Sequence, residues 1–227
     1  FNLRLAQELK KRNIPVIYYI SPQVWAWGKN RIKKIKNTVD LMLVLFKFEE
    51  EFYKKYSLNA IFVGHPLLDI VKSSLDKDSF LKRFSLSPTK YTISLLAGSR
   101  LNEIKMHLPI MLKISTLIYE KLKDVKFLIL KPHTLSEELY QYYLKPYKLP
   151  IYIISDATYE GLSFSDFAIV CAGTATLETA LLNVPMVIIY KLSLINWLIL
   201  RPLVKVPYIG MVNIIAKRKI VPEFIQY

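Results

Sequence analysis

The 227 residues, 52% hydrophobic and 22% charged, suffice for one large core or two modest ones and exclude a disordered chain. The net charge of +14 and the pI near 9.6 favour an anionic partner: a phosphorylated substrate, a nucleic acid or an acidic membrane surface. An AT-rich genome, which favours Lys, Ile, Tyr and Asn, would explain part of this charge without a partner. The single cysteine, Cys171, excludes an internal disulfide and is expected to be a small core residue.

The chain opens on an amphipathic helix pattern that contains Leu3, Leu5 and Leu9. Because its first residue is Phe1, we expect a fragment whose true start lies upstream. The first residues therefore carry little information about targeting.

Short apolar runs then alternate with helical patterns, which predicts parallel sheets covered on both faces. A polar stretch at 72–90, holding one short helix around Phe80–Phe84, is the predicted linker. Residues 1–71 are predicted to be the C-terminal part of one Rossmann-like doubly wound domain, and 91–227 a second, with a ligand cleft between them. The predicted strands are Val16–Ile20, Leu41–Leu45, Ile61–Val63, Tyr91–Leu96, Phe127–Leu130, Ile151–Ile154, Phe167–Cys171 and Met186–Ile189.

A glycine turn at 171–178 joins a predicted strand to a predicted helix, with Gly173 supplying the flexible backbone. The N–H groups and the hydroxyls of Thr174 and Thr176 at the positive end of this helix suit a phosphate or diphosphate. Glu178 lies one turn further on, where a carboxylate is placed to accept hydrogen bonds from ribose hydroxyls. The Gly-Lys-Ser/Thr ending of a P-loop is missing.

A second glycine turn, Gly98-Ser99-Arg100, follows another predicted strand. A guanidinium there is suited to a bidentate grip on a phosphate, although an exposed surface arginine is the alternative. Two glycine turns after strands in the same half favour the functional interpretation. Pro109 is expected in the first turn of the helix that follows.

Two loops at the ends of the N-terminal strands carry further candidates. Trp25 and Trp27 lie in a loop that Pro22 keeps out of regular pairing. One of them is expected to pack under the loop, and the pair together favours a binding wall that also includes Gln23. His65, after a glycine, is either a base or a hydrogen-bonded structural residue.

No metal site is predicted. His107 and His133 have no carboxylate or cysteine partner at the spacing that metal ligands require.

Together these motifs resemble the lipid-A-disaccharide synthase family, whose members are glycosyltransferases of the B type (GT-B). Their order and spacing hold over essentially the whole chain, and the tryptophan loop is the most specific element. Ala97 and Ala172 depart from the family pattern, which often has Pro and Ser there. The motifs that carry the resemblance are Ser21–Trp27, Phe48-Glu49 with Phe52-Tyr53, Gly64–Asp69, Gly98–Arg100, Gly173–Glu178, Pro185–Val187 and Asn213.

The resemblance implies that UDP-2,3-diacylglucosamine and 2,3-diacylglucosamine 1-phosphate (lipid X) give lipid A disaccharide 1-phosphate and UDP. The anomeric carbon is inverted by a single displacement, without a metal or other cofactor, and the general base is expected upstream of Phe1. By motif, the nucleotide-sugar residues would be Gly98, Ser99, Arg100, Gly173, Thr174, Thr176, Glu178 and Asn213. The acceptor or cleft wall would comprise Gln23, Trp25, Trp27 and His65.

Acylated substrates also imply a peripheral position on the cytoplasmic face of the bacterial inner membrane. Residues 192–215 carry cations and prolines every few positions, which excludes a spanning helix. Trp197, Arg201, Lys205 and Tyr208 in this apolar run instead suit contact with an anionic membrane surface. A core helix followed by a loop is the alternative.

Two other functions are compatible with part of the pattern. A UDP-N-acetylglucosamine 2-epimerase would share the Gly-Thr-x-x-Glu element but is not expected to carry the tryptophan loop. A non-catalytic basic binder of membrane surfaces or nucleic acid would explain the charge, with aromatic residues interleaved among the basic ones. Because the motifs cluster at strand ends instead, an enzyme without a nucleic-acid partner is favoured.

Overall fold

The computed structural model describes residues 1–202 and 206–226, apart from the side chains of Lys29, Ile199 and Leu200. Two compact units are present: Phe1–Leu68 with Leu194–Pro207, and Asp69–Ser193 with Tyr208–Tyr227. The stretch 72–90 lies inside the second unit, where Phe80 is buried in the core. Its assignment as an interdomain linker stays a prediction.

The helices and strands follow one another in the alternation that the sequence predicts. In chain order they are α1 (Asn2–Lys11), β1 (Ile17–Tyr19), a 3₁₀ turn (Lys29–Arg31), α2 (Ile32–Lys36), β2 (Leu41–Val44), α3 (Lys47–Lys54), β3 (Ala60–Phe62), α4 (Leu67–Ile70), α5 (Lys77–Arg83), β4 (Tyr91–Leu96), α6 (Leu101–Lys121), β5 (Val125–Lys131), α7 (Glu137–Leu144), β6 (Ile151–Ser155), α8 (Thr158–Ser163), β7 (Phe167–Cys171), α9 (Ala175–Leu181), β8 (Met186–Tyr190), α10 (Leu194–Leu200), α11 (Met211–Ala216) and β9 (Glu223–Ile225).

The first unit is built on a parallel sheet with the strand order β1-β2-β3. Successive strand residues point to opposite faces, so Met42 and Val44 of β2 share the buried face. Ile32 and Ile35, three positions apart on α2, pack into the same core with Tyr53 of α3.

The second unit contains a parallel sheet with the strand order β6-β5-β4-β7-β8-β9. Residues of β5 alternate between two cores: Phe127 and Ile129 pack in one, and Leu128 and Leu130 in the other. The sheet is therefore covered on both faces, as in doubly wound folds. Strands β5 and β6 extend it to one side of β4, while β7, β8 and β9 extend it to the other. The strand order thus reverses between β4 and β7, where such folds bind ligands.

The sequence predicts the strands well and one helix start wrongly. Tyr91–Leu96 and Phe167–Cys171 are strands with the predicted bounds. Strand β9 (Glu223–Ile225) is not predicted from the sequence. Pro109 lies inside α6 and not in its first turn. The helix already starts at Leu101, so the missing N–H of Pro109 interrupts its hydrogen bonding in the interior.

Candidate functional site

The two glycine turns follow neighbouring strands of the second sheet. β4 pairs with β7 in parallel, with Leu96 opposite Val170 near the carboxyl ends. The loop Ala97–Arg100 leaves β4, and the loop Ala172–Thr174 leaves β7. Both loops therefore lie at the carboxyl edge, at the point where the strand order reverses.

A carboxylate that the sequence analysis missed organises the first loop. Glu103 Oε2 accepts hydrogen bonds from the backbone N–H of Ser99 at 2.8 Å and of Arg100 at 3.2 Å. Its Oε1 accepts a third from Arg100 Nη1 at 2.9 Å. Glutamate at the third position of a helix is a known capping signal, and this spacing would have identified the bonds.

Gly98 is required because Glu103 folds back over it. The φ of Gly98 is +115°, in the left-handed region, and a Cβ there would lie 2.5 Å from Glu103 Cβ and 2.6 Å from its Oε2. Any side chain at position 98 would displace the carboxylate from the loop.

The loop after β7 exposes its backbone to solvent, whereas the nearby Thr176 hydroxyl points into the protein. Gly173 and Thr174 are exposed, whereas Thr176 is fully buried and its Oγ1 donates to the carbonyl of Gly173 at 2.8 Å. The Thr176 hydroxyl thus stabilises the loop conformation. A direct ligand contact by Thr176 stays a prediction.

Glu178 is half-buried one turn into α9 and has a partner from a neighbouring helix. Tyr159 Oη, on α8, donates to Glu178 Oε1 at 3.1 Å. Burial raises the pKa of the Glu178 carboxyl above its usual range, and the hydrogen bond from Tyr159 partly opposes that rise. Tyr159 carried no signal in the sequence, because its contact depends on how α8 packs beside α9.

A buried histidine on α6, His107, contacts the ends of two strands, β7 and β8. His107 Nε2 accepts the N–H of Lys191, after β8, at 2.9 Å, so the ring proton lies on Nδ1, which donates to the Glu103 carbonyl at 2.8 Å. Cys171 Sγ lies 3.5 Å from the same Nδ1. This contact joins residues 64 positions apart, so sequence spacing could not reveal it; it arises because α6 packs over the end of β7.

The chemistry around this histidine is that of an uncharged core. Burial lowers the pKa of His107 and raises the pKa of the Cys171 thiol to about 12, so both groups are neutral at pH 7. Within residues 1–202 and 206–226, no group of three or more His, Cys, Asp and Glu side chains is placed to hold a metal ion.

Asn213 is fully buried and saturated with hydrogen bonds. Its Nδ2 donates to the Val221 carbonyl at 2.8 Å and to Glu223 Oε1 at 2.7 Å, and its Oδ1 accepts the N–H groups of Ile220 and Val221. Two donors and two acceptors exhaust the amide. The prediction that Asn213 lines the nucleotide or sugar pocket is untested, and the geometry favours a role in holding the chain after α11.

In the first unit, a buried glutamate connects two loops at the carboxyl edge of the sheet. Glu49 Oε1 accepts hydrogen bonds from Ser21 Oγ at 2.7 Å and Trp25 Nε1 at 3.0 Å. Its Oε2 accepts the N–H groups of Leu45 and Phe46, both at 3.2 Å. The sequence motif contained Glu49, but its role becomes visible only when β1 and β2 are paired.

The two tryptophans differ in exposure, and one of them packs under the loop as predicted. Trp25 packs edge-on against Phe48, with 5.0 Å between ring centroids, and is fixed by its bond to Glu49. Trp27 is exposed, with the Arg31 guanidinium 5.9 Å from its ring. Gln23 is also exposed. The loop therefore has a packed support, Trp25, beneath side chains that are available to a ligand.

His65 lies beside Phe46, with 5.3 Å between the ring centroids, and Phe46 in turn stacks on Phe48. His65 Nδ1 accepts the N–H of Leu67 at 3.1 Å, so the neutral ring carries its proton on Nε2. Burial lowers the pKa of His65. This geometry favours the hydrogen-bonded interpretation of His65 over that of a free base.

Helix α10, within the predicted membrane-contact segment, displays apolar side chains. Leu194, Ile195 and Leu198 are 75%, 72% and 70% exposed. The Arg201 guanidinium lies 5.8 Å from the ring of Trp197. Lys205 of the predicted patch, with 203 and 204, lies outside the described residues. No helix in the described part of the chain combines the length and apolarity needed to cross a bilayer.

Comparison with solved structures defines the class of fold. The structure titled S. aureus MnaA-UDP co-structure superposes with a TM-score of 0.55 at 11% identity, over 93% of this chain and 60% of that one. The UDP-GlcNAc 2-epimerase from Neisseria meningitidis bound to UDP-GlcNAc gives 0.52 at 16% identity, over 93% and 62%. At such identities the likeness shows the fold alone. The chain is an α/β protein of the GT-B type with Rossmann-like parallel sheets, which confirms the predicted fold class.

The sequence comparisons are more specific. The family model described as lipid-A-disaccharide synthetase matches residues 1–227. The chain belongs to this family. A lipid-A-disaccharide synthase from Syntrophus aciditrophicus is 44% identical over all of this chain and 59% of its own length. One from Nitrosococcus oceani is 42% identical over all of this chain and 58% of its own length. The chain thus spans somewhat more than half the length of these relatives.

Replacing Glu49 by Gln is expected to loosen the tryptophan loop. The amide places an NH₂ group against N–H or O–H donors, which leaves buried donors unpaired and destabilises the fold by about 1–3 kcal/mol. Urea unfolding followed by Trp emission measures the loss of stability. The NMR resonance of the Trp25 indole N–H reports the loosening of the loop. Glu51→Gln, at an exposed position on the same helix, is the control. An unchanged Trp25 resonance in Glu49→Gln would contradict the assigned role.

His107 should make folding stability pH-dependent. Because its pKa is lowered in the fold from an unfolded value of about 6.5, the unfolded chain binds more protons once the pH falls below that value. The contribution is therefore present above pH 6.5 and lost on acidification, by at most about 1.4 kcal/mol per pH unit. Urea midpoints between pH 7.5 and 5.5 should fall less steeply in His107→Gln than in the wild type or the exposed control His133→Gln. Parallel slopes in all three proteins would disprove the prediction.

Proposed function

We propose that this chain is the nucleotide-binding portion, with part of the acceptor side, of a lipid-A-disaccharide synthase. The full-length protein condenses UDP-2,3-diacylglucosamine with 2,3-diacylglucosamine 1-phosphate, inverting the donor's anomeric carbon and releasing UDP. Family membership over residues 1–227 supports this reaction. The epimerase alternative has support only at the level of the fold.

The observation that carries the proposal is the position of the two glycine loops. Arg100 and the stretch Gly173–Glu178 follow β4 and β7, the pair of strands between which the sheet order reverses. A diphosphate needs fixed positive charge and N–H donors, and a ribose needs an acceptor nearby. The Arg100 guanidinium, the exposed backbone of Gly173 and Thr174, and the Glu178 carboxylate provide these three elements.

In the proposed reaction, the leaving UDP is stabilised without a metal. The Arg100 side chain is 80% exposed, and its guanidinium is fixed at one edge by Glu103. Charge that develops on the diphosphate as the glycosidic bond breaks would be matched by this preorganised cation. Glu178, fixed by Tyr159, would accept the ribose hydroxyls.

The first unit is proposed to supply the acceptor wall. Gln23 and Trp27 are exposed on a loop that Trp25 and Glu49 hold from below. An indole face and an amide suit the apolar ring faces and the hydroxyls of a sugar. His65, with its ring proton on Nε2, would serve as a hydrogen-bond donor on this wall.

Contact with an anionic membrane surface on the cytoplasmic side is proposed for α10. Three exposed aliphatic side chains beside the Trp197–Arg201 pair combine apolar area, an interfacial aromatic ring and a cation. Acylated substrates reside in a bilayer, so an enzyme that uses them must approach it. No nucleic-acid partner is proposed.

Calorimetric titration with UDP and with uridine tests the nucleotide site. The wild-type chain should bind UDP in the micromolar-to-millimolar range. Arg100→Ala should weaken UDP binding by about 10- to 100-fold, the value of a charge-assisted contact, and leave uridine binding unchanged. Glu178→Ala should weaken both ligands, because both carry the ribose.

Two surface variants serve as matched controls for charge. Arg4→Ala removes an exposed cation of α1, and Glu120→Ala removes an exposed carboxylate near the end of α6. Neither should change either affinity by more than about twofold. A folded wild-type chain that does not bind UDP would refute the assignment of the two loops.

Vesicle flotation tests the membrane contact. A triple variant with Leu194, Ile195 and Leu198 changed to Ser should bind vesicles containing phosphatidylglycerol at least about tenfold more weakly than the wild type, since it loses three exposed aliphatic side chains of α10. Leu117→Ser, at a position 61% exposed on α6, should bind as the wild type does. Equal binding by the triple variant and the wild type would exclude α10 as the contact.

A further inference from the structure

The N–H groups at the start of α6 already have an anion bound to them. Ser99 N–H and Arg100 N–H both donate to Glu103 Oε2, at 2.8 and 3.2 Å. A phosphate oxygen would therefore have to displace a carboxylate of the protein itself to reach them. Displacement would leave the side chain of Glu103, only 25% exposed, beside the incoming anion.

The Arg100 guanidinium, which Glu103 also binds, remains open to a ligand. Arg100 has five N–H donors, of which Nη1 donates to Glu103 Oε1 at 2.9 Å. Its side chain is 80% exposed, so most of its donors face solvent. A carboxylate on one edge of a guanidinium reduces its rotamer freedom and leaves the other edges for a second anion.

The backbone of Glu103 is anchored by a hydrogen bond, and its side chain packs over Gly98. Its Cβ and Oε2 occupy the space that a side chain at Gly98 would fill. Its carbonyl accepts the Nδ1–H of His107, whose Nε2 in turn accepts the N–H of Lys191. The residue is thus fixed both to the β4 loop and, through a neutral imidazole, to the end of β8.

We infer that Glu103 is a positioning residue for the donor diphosphate and acts through Arg100. It closes the α6 amides to the ligand and presets the guanidinium, so that the β4 loop contacts the diphosphate by side chains alone. This inference rests on the proposed function, because it assumes that Arg100 binds the diphosphate.

The test is a double-mutant cycle with UDP and uridine as the two ligands. Glu103→Gln, which is isosteric but uncharged, should weaken UDP binding about tenfold and leave uridine binding within twofold. In an Arg100→Ala background the same change should have no further effect on UDP, because its target is gone. Additive losses in the double variant would overturn the inference.

A purely structural role for Glu103 would leave the ratio of UDP to uridine affinity unchanged. Asp76 caps α5 by accepting the N–H of Ser79 at 2.9 Å, so Asp76→Ala is the matched loss of a helix cap outside the site. Both variants should unfold at lower urea concentrations, but only Glu103→Gln should change the ratio of UDP to uridine affinity. An unchanged ratio, or tighter UDP binding because the amides have been freed, would contradict the proposal.

Two other results, a wild type that does not bind UDP and a Glu103→Gln variant that does not fold, are distinguished from a failure of the inference. If the wild type binds no UDP, the proposed function fails before the inference is tested. If Glu103→Gln does not fold, Arg100→Lys keeps the charge and the Glu103 backbone contacts but removes the planar fork. It should show the same selective loss of UDP affinity, and wild-type affinity in that variant would overturn the inference.

Discussion

One interaction recurs in the loops that follow β2 and β4: a carboxylate that accepts two consecutive backbone N–H groups. Glu49 binds those of Leu45 and Phe46, and Glu103 binds those of Ser99 and Arg100. In each case the helix that follows begins within two residues, where N–H groups have no partner inside the helix. The carboxylate satisfies them and complements the positive end of the helix.

The remaining lone pairs of these carboxylates link the loops to their side chains. Glu49 uses them for Ser21 and Trp25, and Glu103 for the Arg100 guanidinium. Hydrogen bonds to a charged acceptor contribute about 1.5–3 kcal/mol each, enough to hold a loop in one conformation. The side chains proposed to contact a ligand are thereby positioned by the fold beforehand, which would lower the ordering cost of binding.

The sequence predicts the strands and loops better than the contacts between side chains. Apolar runs locate the strands, and glycine turns locate the loops, because both signals are local. Tyr159 with Glu178, and His107 with Cys171, join residues that are distant in sequence, so no spacing rule could pair them. Glu103 was predictable from its capping position. Pro109 was misplaced because that cap extends α6 in front of it.

The same use of carboxylates bears on the net charge. The chain has 32 Lys and Arg against 18 Asp and Glu. Glu49 and Glu223 direct their carboxylates to backbone and side-chain N–H or O–H donors that carry no charge, among them Ile209 and Gly210 N–H and Asn213. Acidic groups used in this way do not neutralise surface cations by direct pairing. The net charge of +14 favours association with anions in general, which is consistent with the phosphorylated substrates proposed above.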